Sequence, residues 1–587
     1  RSGLVALHRF GLGARCGGAW RAGSWRTMGP LALLTILGWL VLVPVAILVV
    51  SAFKPTGFLF DPGFTFDHIR ETFLSSELVG LTGRTMRFAL GASALALVVG
   101  GVLAWLTERT DLPGAGAARL SLLLPMAIPP FLLAIGWILL ASPRTGAFNL
   151  MLMERLSLSG PFINIYSMGG MICVEAMALA PSAYLIMAPA FRLIDPNLEE
   201  AAMMAGANRV TILRRIVLPL MMPAIVGAAI YLLVICLFVF DVPGAIGIPA
   251  GEKLIATHIY DLLNHAPGGL PEYGPIGAIS MGSIVALMGL ALVYQRVMAN
   301  AGRYVTVAGK ATRARAFALG RWRGLALCFV TFYLLLAIVA PIGALVWTSL
   351  LPWQMPLTSA TLDQLTLANH ARFLKDPALL KAAWHSLLIA LTAAFCAGLL
   401  ALLTSWTVVR SRFSARGALD LLAFLPLASP SVLIATALIY VYLTVKPFPI
   451  YGSIWIICIA HVTVYLSYSS RVTNAAVAQI HPELEEAARM SGASASTVMR
   501  RILAPLATPA LAAVWIWIFA HSLRELGAAL ILQGPDNKTV PTLLFAYWTQ
   551  GQSTKTAAVG VWLVVCLCAL MGVGQALHRW MGKQGQT

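Results

Sequence analysis

Twelve apolar runs follow one another almost end to end, at 30–53, 84–107, 117–141, 166–190, 217–240, 274–298, 322–350, 383–409, 417–443, 451–470, 505–531 and 556–578. A helix of about 20 residues crosses the hydrocarbon core of a bilayer, and these runs meet that length. Soluble domains carry about a quarter charged residues; this chain carries 11%, with 59% hydrophobic residues and a mean hydropathy of +0.82. Lipid is therefore the solvent, and in lipid the backbone is satisfied only within helices or closed barrels. The runs predict an all-α polytopic membrane protein with about twelve transmembrane helices.

The formal charge of +18 would suit nucleic acid if it were gathered on one face. It is scattered instead among short loops. Arg9, Arg15, Arg21 and Arg26 precede the first run, Arg303, Lys310, Arg313, Arg315, Arg321 and Arg323 lie in the middle, and Arg579 and Lys583 follow the last. The positive-inside rule then places both termini and the centre in the cytoplasm, with Arg84, Arg87, Arg144 and Arg155 as outer exceptions. Nucleic acid is not an expected partner. The eight cysteines form no C-x-x-C pair, and seven lie in apolar runs, where Cys behaves as a small hydrophobe, so neither disulfide nor metal site is expected. The Arg- and Gly-rich start shows no signal-type cleavage pattern, and since Met28 offers a start, residues 1–27 are given no weight.

The chain also repeats itself. Phe64-Thr65-Phe66 matches Leu365-Thr366-Leu367, Trp105 matches Trp406, Arg109 matches Arg410, and Pro125/Pro129 match Pro426/Pro430, all about 301 residues apart. Beyond Pro161-Phe162 and Pro447-Phe448 the spacing falls to about 286 residues, so the first copy holds about 15 more residues in the outer loop after its third helix. Six helices per copy is an even number, which makes the copies parallel repeats about an axis along the membrane normal. The expected organisation is a basic cytoplasmic segment 1–29, a first repeat 30–299, a basic linker 300–321, a second repeat 322–580 and a cytoplasmic tail 581–587.

The most alike stretches are DPNLEEAAMMAGANRVTILRRIVLPLMMPA at 195–224 and HPELEEAARMSGASASTVMRRILAPLATPA at 481–510, identical at 17 of 30 positions. Both fall on the cytoplasmic side. Each reads as a short helix, a glycine break at Gly206 or Gly492, a second amphipathic helix with Arg214-Arg215 or Arg500-Arg501, and proline at the entry of a span. Asp195 is a good N-cap before Pro196, whereas His481 is a weak one. An interfacial helix would merely anchor such a loop, but anchoring does not call for Glu-Glu-Ala-Ala twice.

The E-A-A-x-x-x-G pattern followed by an I-x-L-P-type stretch resembles the cytoplasmic coupling loop of permease subunits in binding-protein-dependent ABC importers. The resemblance covers nearly the whole chain and implies the type I importer permease fold in a bacterial inner membrane. It further implies two copies of a separate cytoplasmic ATPase and a periplasmic binding protein as partners. Glu199, Glu200, Ala201, Ala202 and Gly206 would dock on one ATPase, and Glu485, Glu486, Ala487, Ala488 and Gly492 on the other. No G-x-x-x-x-G-K-[ST] phosphate loop occurs in this chain, so ATP would be used by the partners, with no cofactor bound here and no enzymatic activity expected.

Ionisable residues within spans are functional candidates because hydrocarbon penalises them. They are Glu175, Asp241, His461, His521, Arg524 and Glu525, with an interfacial position for Asp241 and an internal Arg524–Glu525 ion pair as the plainer readings. Ser522 to Ala528, Asp241-Val242-Pro243-Gly244 with Tyr260, and Pro-Glu-Tyr-Gly at 271–274 are similar to fused permeases of the ferric-iron group, which implies ferric iron as cargo. Thiamine, polyamine and 2-aminoethylphosphonate permeases share the frame. An ion-gradient-driven secondary transporter would also give twelve helices but would not need paired coupling loops. A membrane enzyme is disfavoured by the lack of H-E-x-x-H, G-x-S-x-G or a metal-ligand cluster.

Overall fold

The computed structural model describes residues 24–265, 271–299, 317–355, 359–373, 375–428, 430–444 and 450–584. Most of the expected N-terminal segment and linker, the end of the tail and the Pro447-Phe448 match lie outside these residues.

Among the described residues, nine helices are long and apolar enough to cross a membrane, or eleven if two bent pairs each count as one span. The apolar run 451–470 overlaps the 26-residue helix Ile454–Gln479 from residue 454 on, and that helix is not among them. Its hydropathy is diluted by His461, Thr463, Ser467, Ser469, Ser470 and Thr473, all of them buried against protein. The runs 117–141 and 417–443 each hold a bent pair of helices. Each breaks sharply, by 92° between Ala115–Ala127 and Pro130–Ala141, and by 109° between Arg416–Leu427 and Ser431–Leu443. The matched prolines 125/129 and 426/430 account for the breaks, since proline lacks an N–H and its ring collides with the carbonyl four residues earlier.

The same collision is relieved differently elsewhere. Five π-helical segments, Gly38–Leu42, Leu213–Val217, Pro243–Gly247, Leu335–Val339 and Met499–Leu503, each stop two residues before a proline, at Pro44, Pro219, Pro249, Pro341 and Pro505. The carbonyl that each proline would strike sits at the centre of the widened turn. The chain thereby keeps its direction through the proline without leaving the backbone bare.

The repeat is explicit in element lengths. Ser76–Arg109 and Pro377–Arg410 both have 34 residues, Met168–Leu193 and Ile454–Gln479 both have 26, and Leu218–Phe238 and Ala504–Arg524 both have 21. The extra outer residues of the first copy fold as the helix Ala147–Leu156. The buried Asn149 holds it, donating from Nδ2 to the carbonyls of Ala141, Ser142 and Ile163 at 3.1, 3.0 and 2.7 Å.

The copies interlock through their first spans. Met28–Ser51 packs on the broken span of the second copy, where Tyr440 donates to the Gly57 carbonyl at 3.0 Å. Gly320–Ser349 packs on Pro130–Ala141 of the first, so closely that a Cβ on Gly136 would lie 2.6 Å from Pro341. Within the first copy, Ser76–Arg109 runs along Met168–Leu193, and a Cβ on Gly100 would lie 2.5 Å from the Ala180 carbonyl. Replacing Gly100 by Leu is expected to cost about 1–3 kcal/mol through overpacking, read as a lower thermal midpoint in detergent. Gly398→Ala, which meets nothing within 4 Å, is expected to hold or raise that midpoint.

Candidate functional site

The two matched loops fold alike. Pro196–Met204 and Pro482–Met490 are nine-residue helices. Asp195 caps the first, accepting from the Asn197 N–H at 2.9 Å, while His481 makes no such bond. Gly206 and Gly492 end the helices at φ +82° and +83°, the left-handed region that costs other L-residues about 1–2 kcal/mol. Paired closing bonds mark a Schellman turn in both: Gly206 N–H to Met203 O at 3.0 Å with Ala207 N–H to Ala202 O at 2.9 Å, and Gly492 N–H to Arg489 O with Ala493 N–H to Ala488 O, both at 3.0 Å. Nothing lies within 4 Å of a Cβ at either glycine, so the requirement is conformational.

The two glutamates of each pair, all four expected to dock on an ATPase, differ in their surroundings. Glu199 pairs with Arg109, whose Nη1 also donates to the Ile194 carbonyl at 3.2 Å. The buried Glu485 lies 3.1 Å from Arg410 Nε, and Arg410 Nη2 donates to the carbonyls of Val477 and, more closely, Ile480. The first glutamate thus ties its loop to the end of the second or eighth apolar run. Glu200, Ala201, Glu486 and Ala487 remain exposed, Ala202 and Ala488 are half-buried, and Met204 and Met490 are each 90% exposed. Sequence reasoning missed the arginines as loop anchors. Their match across the repeat was the available signal, but it does not disclose that the chain folds back onto them some 75 to 90 residues later.

Beside the first loop, Glu108 holds Arg119 at 3.0 Å and Arg192 at 2.7 Å. Asp111 accepts from the Leu319 N–H at 2.8 Å and pairs with Arg323, clasping the start of the second copy to the first. The Arg323 guanidinium and the Leu319 amide hold the Asp111 carboxyl below its ordinary value of 3.8.

The intramembrane candidates divide into two groups that the repeat relates. His461 Nδ1 lies 2.6 Å from Ser522 Oγ, and its Nε2 lies 3.3 Å from Glu525 Oε2. Glu525 also accepts from the Ala528 and Ala529 amides at 2.9 and 3.2 Å, capping the short helix Gly527–Leu532. Arg524 does not pair with Glu525. It donates to the Met126 carbonyl at the break of the first copy's bent span and to His521 Nε2 at 2.9 Å, while His521 Nδ1–H donates to Trp517 O at 2.8 Å. In the first copy, Glu175 stands where His461 stands in the second and Cys236 where Ser522 stands, at the spacing of the loops. Glu175 is 1% exposed, and Asp241 lies within electrostatic range of it. One oxygen of each, Glu175 Oε2 and Asp241 Oδ1, is buried without a hydrogen-bond partner. Asp241, given a plain interfacial reading from sequence, also lies within range of Glu525 and Arg524. Among the described residues, no three His, Cys, Asp or Glu side chains converge as a metal cage.

Two six-helix copies, paired loops with one geometry and a polar cluster between them define a membrane permease built as a tandem repeat. The chain belongs to the binding-protein-dependent transport system inner membrane components, whose family model matches residues 96–300 and again 394–583. It is an ABC importer permease subunit of the inner membrane, a transport component that works with ATPase partners, which removes the ion-gradient-driven reading. A probable ABC transporter permease protein, y4fN of Sinorhizobium fredii, is 26% identical over 86% of this chain and 89% of its own. A putative ferric transport system permease protein, FbpB 1 of Haemophilus influenzae, is 25% identical over 86% of this chain and 78% of its own. A putative 2-aminoethylphosphonate transport system permease protein, PhnV of Salmonella choleraesuis, is 27% identical over 44% of this chain and 93% of its own.

Breaking a buried ion pair from one side costs about 3–5 kcal/mol, because a charge is left uncompensated. Arg410→Met is expected to lower the unfolding midpoint accordingly, and adding Glu485→Leu to recover much of the loss. The Asp111 clasp has a pH dependence of known sign. A carboxyl held low when folded contributes stability that is complete above its ordinary value and fades as pH falls through the lowered one. Protease nicking near residues 317–323 is expected to rise on acidification from pH 5 to 3, and Asp111→Asn to flatten that rise.

Proposed function

We propose that this chain is the translocation subunit of an importer for ferric iron. It takes the ion from a periplasmic binding protein and releases it to the cytoplasm by alternating access. Two observations support the cargo: the ferric transport permease is similar along most of both chains, and Glu175, Asp241 and Glu525 outnumber Arg524 in the intramembrane cluster, which favours a cation. An aminophosphonate, whose phosphonate is anionic, fits that excess less well.

The two loops receive one ATPase copy each. Glu200, Ala201 and Met204 form the contact on one loop and Glu486, Ala487 and Met490 on the other, with Ala202 and Ala488 behind them. Exposed carboxylates can pair with a partner's basic groups, and exposed methionines adapt to an apolar partner surface. Glu199 and Glu485 carry the motion to Arg109 and Arg410 and so into the long spans, while Gly206 and Gly492 set the angle between the two loop helices. Residues 30–299 and 322–580 move as the two halves about the linker 300–321, with 1–29 and 581–587 also cytoplasmic. The motor is a separate protein, since this chain has no phosphate-binding loop of its own.

Proteoliposomes holding the whole importer and fed iron-loaded binding protein test this reading. ATP-dependent uptake of radiolabelled iron is expected from the intact chain. Glu200→Lys with Glu486→Lys is expected to leave insertion intact and cut uptake at least tenfold. Uptake of aminophosphonate but not iron would withdraw the cargo, and full uptake by the double variant would withdraw the docking role.

A further inference from the structure

The repeat places two chemically different versions of one site in the membrane. In the second copy, the ionisable residue on Ile454–Gln479 is His461, and the carboxylate beside the next short helix is Glu525. That carboxylate is fully served by the histidine ring and two amides. In the first copy the matching residue on Met168–Leu193 is Glu175; the position of Glu525 is taken by Val239, and the carboxylate at the opening of the next short helix is Asp241, two residues further on. Two acids lie within electrostatic range of one another, where the second copy pairs its acid with a histidine.

Among the described residues, one oxygen of each acid at the first site is left without a donor. Glu175 Oε2 and Asp241 Oδ1 have no partner, and His461's place as donor is taken by a second acceptor. The cation in range of Asp241 is Arg524, and its guanidinium is committed to the Met126 carbonyl and His521. Buried acceptors without donors are costly and rare, and carboxylates within the membrane mark ion pathways.

We propose that Glu175 and Asp241 form a cation-binding station on the translocation path, completed by the hard multivalent cation in transit. This rests on the reading of the chain as a metal-ion importer and extends it to named ligands. Carboxylate oxygens are the ligand type that hard cations take. Two carboxylates, with no third His, Cys, Asp or Glu completing a metal-holding group among the described residues, leave the remaining coordination to water or cargo-borne ligands. A site in a conduction path must bind well enough to admit an ion and weakly enough to release it, and an incomplete cage meets both demands. The asymmetry gives the two halves separate tasks: the second copy's carboxylate is hydrogen-bonded within the chain, while the first copy's acceptors are open to a ligand.

The test is titration of the nucleotide-free importer complex in nanodiscs with terbium(III), a hard trivalent probe whose emission neighbouring aromatic rings such as Tyr465 and Trp517 can sensitise. The intact complex is expected to show a saturable site. Glu175→Gln and Asp241→Asn are each expected to weaken it at least tenfold. Glu175→His, which builds the second copy's pairing into the first, is expected to abolish it while retaining the thermal midpoint. Glu154→Gln, on the exposed outer helix, serves as the unchanged control. An equal titration in the intact complex and Glu175→Gln, or none in the intact complex, overturns the proposal. Iron uptake in the same preparation separates the two readings. A terbium site lost in Glu175→Gln without iron uptake by the intact complex supports the station and ends the iron assignment. Iron uptake undiminished in Glu175→Gln ends the station and leaves the assignment.

Discussion

Hydrocarbon offers the backbone no partner, and the rest of the structure follows from that constraint. Every carbonyl and amide within the spans must be served by the chain, yet this chain carries 33 prolines. Where the path must continue, the helix widens by one turn around the carbonyl that the proline would strike, as before Pro44, Pro219, Pro249, Pro341 and Pro505. Where the path must turn, the span breaks, as after Ala127 and Leu427. A broken span frees carbonyls, and one of them, on Met126, is taken by Arg524 from the opposite copy. A backbone defect in one half is thus satisfied by the charge of the other, and the halves are joined at the polar cluster they share.

The loops show the same economy on the water side. One glutamate of each pair is spent holding the loop to an arginine of the long span, which leaves its neighbour and a fully exposed methionine for a partner. A rigid tether and a free face on one nine-residue helix are what a force-transmitting contact requires. Because both copies have this arrangement, the proposed docking of one ATPase on each loop would push both long spans alike, while the intramembrane residues they enclose differ between halves.

Much of this was legible in the sequence. Run length and the constant spacing disclosed the helical class, the parallel repeat and the two loops, because those depend on local periodicity and on near-identity between copies. Gly206, Gly492 and the contrast between Asp195 and His481 as caps were legible for the same local reason. The broken spans were not: an apolar run has the same composition whether its helix is straight or bent by 92°. Nor was the inward turn of Glu199 and Glu485, which depends on arginines far away in sequence. Arg524 beside Glu525 reads as an ion pair, whereas successive residues at a helix end point apart, one to Met126 and one to His461. The correspondence of Glu175 with His461 stood in the sequence throughout, but it acquires meaning only when His461 is seen bonded to Ser522 and Glu525 while Glu175 Oε2 is buried without a partner.

The account stands on two equivalent loops receiving the motor, and photo-cross-linking addresses that contact directly. A photoreactive amino acid placed at Met204 or at Met490 in the assembled importer should cross-link to the ATPase from either position, with yields that change together when ATP is added. Cross-linking from one position alone, or from neither, would contradict the account.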